Sequence, residues 1–317
     1  MAQAGEAYRG ELLAHCYRML GSLHDAEDLV QETMLRAWRF AGGYDESRGS
    51  IRTWLYRIAT NACLSYLDGR QRRVLPVDLT GPSEVPDIEK IEEHLEIPWL
   101  EPFPDALIPA GDPAAVVETR ESIRLAFIAA LQHLPPRQRA VLILRDVLAM
   151  PAAEVAPLLE MTVTAVNSAL QRARGQLAAA SPSADDAGLV QPSDTEAQDL
   201  LDRYTAAFTA MDIEALKDTL REDALLQMPP FPQWFLGRDV IGEFLASGFA
   251  RGGTYRFLQT RANGQLAVLL YRRRDSDAYR FLHVQVLTMS GAGITRIDGF
   301  HAGELHVPFG LPGVLAD

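Results

Sequence analysis

The residues whose types and spacing suit chemistry gather in one stretch, IRTWLYRIATNACLSYLDGRQRR, residues 51–73. Arg52, Tyr56, Arg57 and Asn61 fall within a few turns of a single helical pattern, and Arg70, Arg72 and Arg73 follow before Pro76 stops it. The chemistry on offer is recognition. Guanidinium groups neutralise phosphate, amides and hydroxyls reach base edges, and Tyr or Trp rings stack on unpaired bases. A plainer reading also fits: cations at the end of a helix complement its dipole, and the face is merely solvated. Taken alone, the stretch leaves both open.

To share a face, these side chains need an amphipathic helix beneath them. Ile51, Leu55, Ile58, Ala62 and Tyr66 recur at helical spacing and predict its buried stripe. Thr53, Arg57 and Thr60 then lie opposite, with Arg52, Tyr56 and Asn61 on the flanks. Upstream, residues 5–19 read as a first helix broken by Gly21. A second begins where Ser22 and Asp25 are placed for an N-cap and capping-box carboxylate. Ala26, Leu29, Val30, Thr33 and Ala37 form its inner stripe, leaving Asp28, Gln31, Glu32, Leu35 and Arg39 outside. Such charge is ordinarily a solvated face, but Leu35 and Trp38 make it a candidate docking surface. The loop AGGYDESRG, residues 41–49, joins this helix to the basic one.

Composition bounds the rest. At 317 residues, two or three domains are expected, and 48% hydrophobic residues suffice for real cores. A net charge of −12 excludes a wholly basic nucleic-acid binder and confines any such function to local patches. Between Val77 and Glu118 stand eleven acids against one base, Lys90. With its prolines, that segment reads as an acidic spacer, with Trp99 and Phe103 as candidate docked points. Cys16 and Cys63 stand alone, without ligand spacing, so neither structural zinc nor a cofactor is expected. Two lone thiols suit a reducing compartment. Without a signal peptide or a long apolar run, the sequence predicts a soluble, cytoplasmic protein.

Helical patterning returns over residues 119–177. Two short helices joined by a tight turn, the second opening at Thr162, describe a helix-turn-helix. Thr164, Asn167, Ser168, Gln171 and Arg172 are candidates for base contacts, and Arg174 for phosphate. Glu160 occupies the turn where glycine is frequent, and Asn167 stands where lysine is common. Residues 178–194 are a linker by composition. Beyond it, helices at TEAQDLLDRYTAAFTAMD, IEALKDTLRED and RDVIGEFLASGF precede strands at TYRFLQTRA, QLAVLLYRRR, YRFLHVQVLTMS and GITRIDGFHA, an α+β order.

The runs LHDAEDLVQETMLRAWR and IRTWLYRIATNACLSYLDGRQRR resemble region 2 of the extracytoplasmic-function (ECF) sigma factors of bacterial RNA polymerase, and LPPRQRAVLILRD with AAEVAPLLEMTVTAVNSALQRAR resembles their region 4. The resemblance implies a multi-domain chain: all-α region 2 (5–75), acidic linker (76–118), all-α region 4 helix-turn-helix (119–180), a linker (181–194) and an α+β domain (195–317). It implies that Asp28, Gln31, Glu32 and Leu35 dock on the β′ clamp helices of core polymerase, with the β flap as a further contact. By the same resemblance, the loop from Tyr44 to Ser50 takes a flipped base of the −10 element. Arg52, Tyr56, Arg57 and Asn61 line the single strand, while Thr164, Asn167, Ser168, Gln171, Arg172 and Arg174 meet the −35 element. The acidic linker would thread the polymerase near its RNA exit path.

The last domain, through MPPFPQWFLGRDVIGEFL, is similar to the SnoaL-like branch of the NTF2-like fold. That likeness implies a conical pocket holding Tyr204, Trp234, His283, Asp298 and His301, and a domain that regulates and responds to a small ligand. Two other readings remain: a ligand-sensing helix-turn-helix regulator outside the polymerase, and an enzyme using Asp298 and His301 fused to a DNA-binding arm.

Overall fold

The computed structural model describes residues 6–45, 49–109, 113–180, 192–274 and 278–316. They fall into two compact units, one of residues 1–73 with 107–183 and the other of 74–106 with 184–317.

In the first unit, α1 (Arg9–Leu20), α2 (Leu23–Arg39) and α3 (Ile51–Leu67) pack together. Gly21, at φ 70°, closes α1 in the left-handed conformation, and the Ser22 hydroxyl accepts the Asp25 N–H to start α2. The inner stripe of α2 is buried as its spacing predicts.

α3 is rotated from expectation. Its buried residues are Leu55, Tyr56, Ala59, Thr60, Ala62 and Cys63. Thr60, expected outside, is 0% exposed. Its hydroxyl donates to the Tyr56 carbonyl at 2.6 Å and meets His15 Nε2 at 2.9 Å. Because the hydroxyl proton goes to the carbonyl, the proton between Thr60 and His15 sits on Nε2. Burial, with Arg18 nearby, pushes His15 down to about 3, so the ring is neutral at pH 7. Cys16 and Cys63 are free thiols, both buried.

The helices α4 (Pro113–Ser122), α5 (Leu125–Gln132), α6 (Pro136–Leu142), α7 (Ala152–Leu158) and α8 (Val163–Ala180) complete this unit. A π turn, Ile143–Val147, extends α6. Arg139 of α6 is buried and donates to Gln132 Oε1 and to the carbonyls of Gln132, Leu134 and, on α1, Met19. Those acceptors make a buried guanidinium tolerable.

The turn between α7 and α8 adopts the left-handed backbone at Glu160, φ 56°, with Met161 N–H donating to the Ala156 carbonyl at 2.8 Å. A residue with a Cβ pays about 1–2 kcal/mol there. Glu160→Gly should therefore raise the stability of this unit by about 1 kcal/mol, read as a higher urea midpoint with an unchanged slope.

The second unit holds α9 (Asp194–Ala210), α10 (Ile213–Lys217), α11 (Arg238–Ala250) and a mixed sheet. Its strands are β1 (Leu220–Met228), β2 (Phe231–Leu236), β3 (Thr254–Ala262), β4 (Gln265–Arg273), β5 (Tyr279–Ser290), β6 (Gly293–Phe300) and the short β7 (Val314–Leu315). The order is β2-β1-β6-β5-β4-β3, with β7 on β5; only β1 and β6 run parallel. Here the helix expected over IEALKDTLRED is corrected. It stops at Lys217, and Leu220 onward is strand, followed by a second strand that the prolines of MPPFP hid. Tyr204 and Phe208 of α9 and Phe244 of α11 lie with Val268, Leu270 and Ile297 of the sheet in one core.

Residues 74–106 belong to this unit. Val74 bridges Trp99, Ser83 N–H donates to the Trp234 carbonyl at 2.7 Å, and Phe103 N–H donates to Asn263 Oδ1 at 2.9 Å. The acidic spacer is thus tied along the sheet domain as far as residue 106, with Trp99 and Phe103 both buried, while residues 107–118 fall in the first unit, where α4 begins at Pro113.

Candidate functional site

On α2, the buried stripe turns Asp28, Gln31, Glu32 and Leu35 outward together. Leu35 is 56% and Trp38 69% exposed, and Phe40 extends the apolar strip. The charges beside it are loosely held: Asp28 lies 3.8 Å from His24, and Glu32 pairs with Arg36 at 2.7 Å on the surface. An apolar strip rimmed by replaceable ion pairs is what a protein partner can desolvate cheaply.

On α3, Arg57 is exposed and Asn61 half-buried. Arg52 and Tyr56 are held from within. Arg52 pairs with Glu11 at 2.8 Å and lies over the Tyr56 ring at 5.0 Å, while the Tyr56 hydroxyl donates to Glu11 at 3.2 Å. Burial, with Glu11 beside it, raises the Tyr56 phenol. At 1% exposure, Tyr56 offers no ring for a base to stack on in this conformation, because it fills the α1–α3 interface. Sequence reasoning passed over Glu11, whose only signal was an acid at helical register on α1.

Tyr44 packs against Trp54 at 5.4 Å and donates to the Gly49 carbonyl at 3.3 Å. Together with Ser50, Thr53 and Arg57 they line a cleft of about 250 Å³, closed on one side by Glu154, Pro157 and Leu158 of α7. The remainder of the loop expected to take a base, residues 46–48, lies outside the described residues.

On α8, Thr162 caps the helix, its hydroxyl accepting the Ala165 N–H at 3.1 Å. Thr164, Asn167, Gln171 and Arg172 are exposed and Ser168 half-buried, in a row at helical spacing. Arg174, also exposed, is gripped by both oxygens of Asp146 at 2.8 and 2.7 Å, which raises its pKa.

The sheet domain encloses a cavity of about 310 Å³. Tyr204, His283 and His301 line it; Trp234 and Asp298, expected there, do not. Strand alternation explains the correction. Ile297 and Gly299 face the cavity, so Asp298 between them faces away, opposite Val286 and not Gln285. It accepts from Gln227 Nε2, and burial raises its carboxyl pKa. Trp234 donates its indole N–H to the Thr80 carbonyl at 2.8 Å.

Gln285 was missed. Two residues from His283 on one strand face, it accepts from the Tyr204 hydroxyl and meets His283 Nε2, each at 3.0 Å. The His283 and His301 rings lie 4.1 Å apart, and burial holds both below their usual range, His301 at about 4. Among the described residues, no group of three His, Cys, Asp or Glu could hold a metal ion, and no helix is long and apolar enough to cross a membrane.

Residues 6–73 match Sigma-70 region 2, residues 124–177 match Sigma-70, region 4, and residues 201–297 match the SnoaL-like domain. The chain is 49% identical over 309 residues to the ECF RNA polymerase sigma factor SigG of Mycobacterium tuberculosis, covering 97% of this chain and 82% of that one. It is 27% identical over 295 residues to SigJ of the same organism, covering 90% and 86%. The crystal structure of SigJ superposes with a TM-score of 0.61 at 21% identity, over 98% of this chain and 100% of that one, so the two share a fold.

Proposed function

The chain belongs to the ECF RNA polymerase sigma factors, and from that premise we propose that it docks on core polymerase through α2, reads a −35 element with α8 and opens the −10 element with α3 and the loop before it. It works in the cytoplasm, with core polymerase and promoter DNA as its partners. The observation that carries this reading is the outward row Asp28, Gln31 and Glu32, polar residues beside the exposed apolar strip of Leu35, Trp38 and Phe40, with no counterpart in a simple helix-turn-helix regulator. Arg57 and Asn61 reach the single strand first. Arg52 and Tyr56 join only if Glu11 releases them, and Asp146 competes with phosphate for Arg174.

The carboxy-terminal domain modulates initiation and is not itself a catalyst. Supporting this, His301 lines the cavity while Asp298 lies on the other face of the sheet, so the carboxylate and imidazole expected to act together are separated. Gel filtration with bacterial core polymerase tests the docking: the chain should co-elute stoichiometrically, whereas a regulator outside the polymerase would elute alone. Run-off transcription by a version ending near Ser181 should still initiate, at a changed rate.

Base recognition has its own test. Arg172→Ala should cost about 1–3 kcal/mol in promoter binding, roughly 5- to 150-fold, with relaxed preference at one base pair. Competition between promoter variants in filter binding of the holoenzyme measures it.

A further inference from the structure

The acidic segment does more than cross the sheet domain; it reaches the mouth of its cavity. Ile88 and Ile91 pack on the core around Phe208 and Phe244, and with Glu93 they line the cavity itself. Backbone bonds fix this stretch, with Ile88 N–H donating to Ser247 Oγ at 3.1 Å and His94 N–H to the Pro230 carbonyl at 2.9 Å. Without the segment, the cavity would lose one wall.

The other walls are Phe, Leu, Met and Ile side chains, and the deep polar groups form one directed chain. The Tyr204 hydroxyl donates to Gln285 Oε1, which leaves Gln285 Nε2 to donate to His283 Nε2. The His283 proton is therefore on Nδ1, and that buried N–H has no acceptor; His301 Nε2 is likewise unpartnered. Native proteins rarely leave such atoms without a reason. At 310 Å³ the space falls at the lower end of about 300–1,000 Å³ for small-molecule sites. Arg251, Arg272 and Glu93 lie among the lining residues, but the histidines are neutral, and apolar walls penalise a charge taken deep.

We propose that this cavity binds an uncharged, largely apolar small molecule bearing one hydrogen-bond-accepting oxygen, that the imidazole of His283, which lines the cavity, donates to that oxygen, and that Ile88 and Ile91 are its lid, so that occupancy holds the acidic segment on the domain. A molecule touching the lid binds better when the lid is docked, and linkage makes docking tighter when the molecule is bound. In a sigma factor, the segment between regions 2 and 4 would then change its freedom with ligand. That consequence rests on the function proposed above; the binding itself does not, and it is measured without polymerase.

Two probes of this chemistry are 2-naphthol and camphor, titrated into the full chain by calorimetry, with trypsin cleavage after Lys90 followed by mass spectrometry. The Lys90 side chain is 66% exposed within the lid, so cleavage reports the lid's release. At least one probe should bind saturably at one site per chain and slow cleavage after Lys90 by about fivefold or more. His283→Phe and Ile91→Ser should each weaken it by about tenfold. Ile91 is half-exposed, so its replacement leaves the test intact if the buried His283 variant fails to fold. No saturable binding of either probe would overturn the site, and binding indifferent to both substitutions would place it elsewhere. Binding that leaves Lys90 cleavage unchanged would overturn the lid.

Discussion

Replacing Leu35 and Trp38 together with serine should weaken binding to bacterial core polymerase by about 100-fold while leaving the melting temperature of the free chain unchanged. Both side chains are more than half exposed, so neither contributes appreciably to the core. A tryptophan at the centre of an interface can carry about 2 kcal/mol and a leucine less, so the pair is set at about 2.7 kcal/mol, with tenfold in affinity corresponding to about 1.4 kcal/mol. Fluorescence anisotropy of labelled chain against core polymerase measures the loss. A co-substitution of Glu32 alone should matter less, because its pair with Arg36 is solvent-screened. Wild-type affinity in the Leu35/Trp38 variant would move the docking surface off α2.

Acidification should unfold the first unit well before its carboxylates explain it. His15 is neutral in the fold and held at about 3; in an unfolded chain a histidine titrates near about 6.5. The folded pKa is the depressed one, so the unfolded state binds more protons between these values. Stability is complete above about pH 6.5 and is lost as pH falls toward 3. At pH 4.5 the loss from this one group is about 2.7 kcal/mol, a large share of a typical total of about 5–15. His283 is displaced in the same direction, so the second unit should weaken over the same window. Urea titrations at pH 7.5, 6, 5 and 4.5, monitored separately for the two units, would show it. His15→Gln should start less stable, because the bond to Thr60 is disturbed, and should flatten the first unit's pH dependence. A wild-type midpoint constant from pH 7.5 to 4.5 would contradict the neutral His15.

How much of this was legible depended on how local the cause was. Strands β3 and β5 begin and end where their aromatic and β-branched runs meet glycine or polar turns, and the sequence marks both. Residues 220–236 were not legible: LREDALLQM serves helix or strand alike, and its strand state is fixed by pairing with β6, some seventy residues on. The rotation of α3 was hidden for a similar reason. Tyr56 and Thr60 are drawn inward by Glu11 and His15, polar partners on another helix that no periodicity reveals.

Composition read residues 76–118 as a spacer because acids dominate there, while Ile88, Ile91, Trp99 and Phe103, too few to shift an average, decide where residues 74–106 lie. The outward row of α2 emerged where spacing put it, since it is the complement of a patterned buried face. The place of Asp298 was within reach of strand alternation. An aspartate three residues before His301 sits on the other parity from the cavity, as it proves to.

The most direct measurement is transcription of a pool of genomic fragments, from the organism that carries this chain, by core polymerase with and without it. Permanganate would map unpaired thymines on the fragments transcribed. The expected result is a discrete set of new transcripts, each preceded by reactive thymines about ten base pairs upstream of its start, lost in the Leu35/Trp38 variant. Transcripts unchanged by the chain, or new ones with no strand opening at that position, would contradict it.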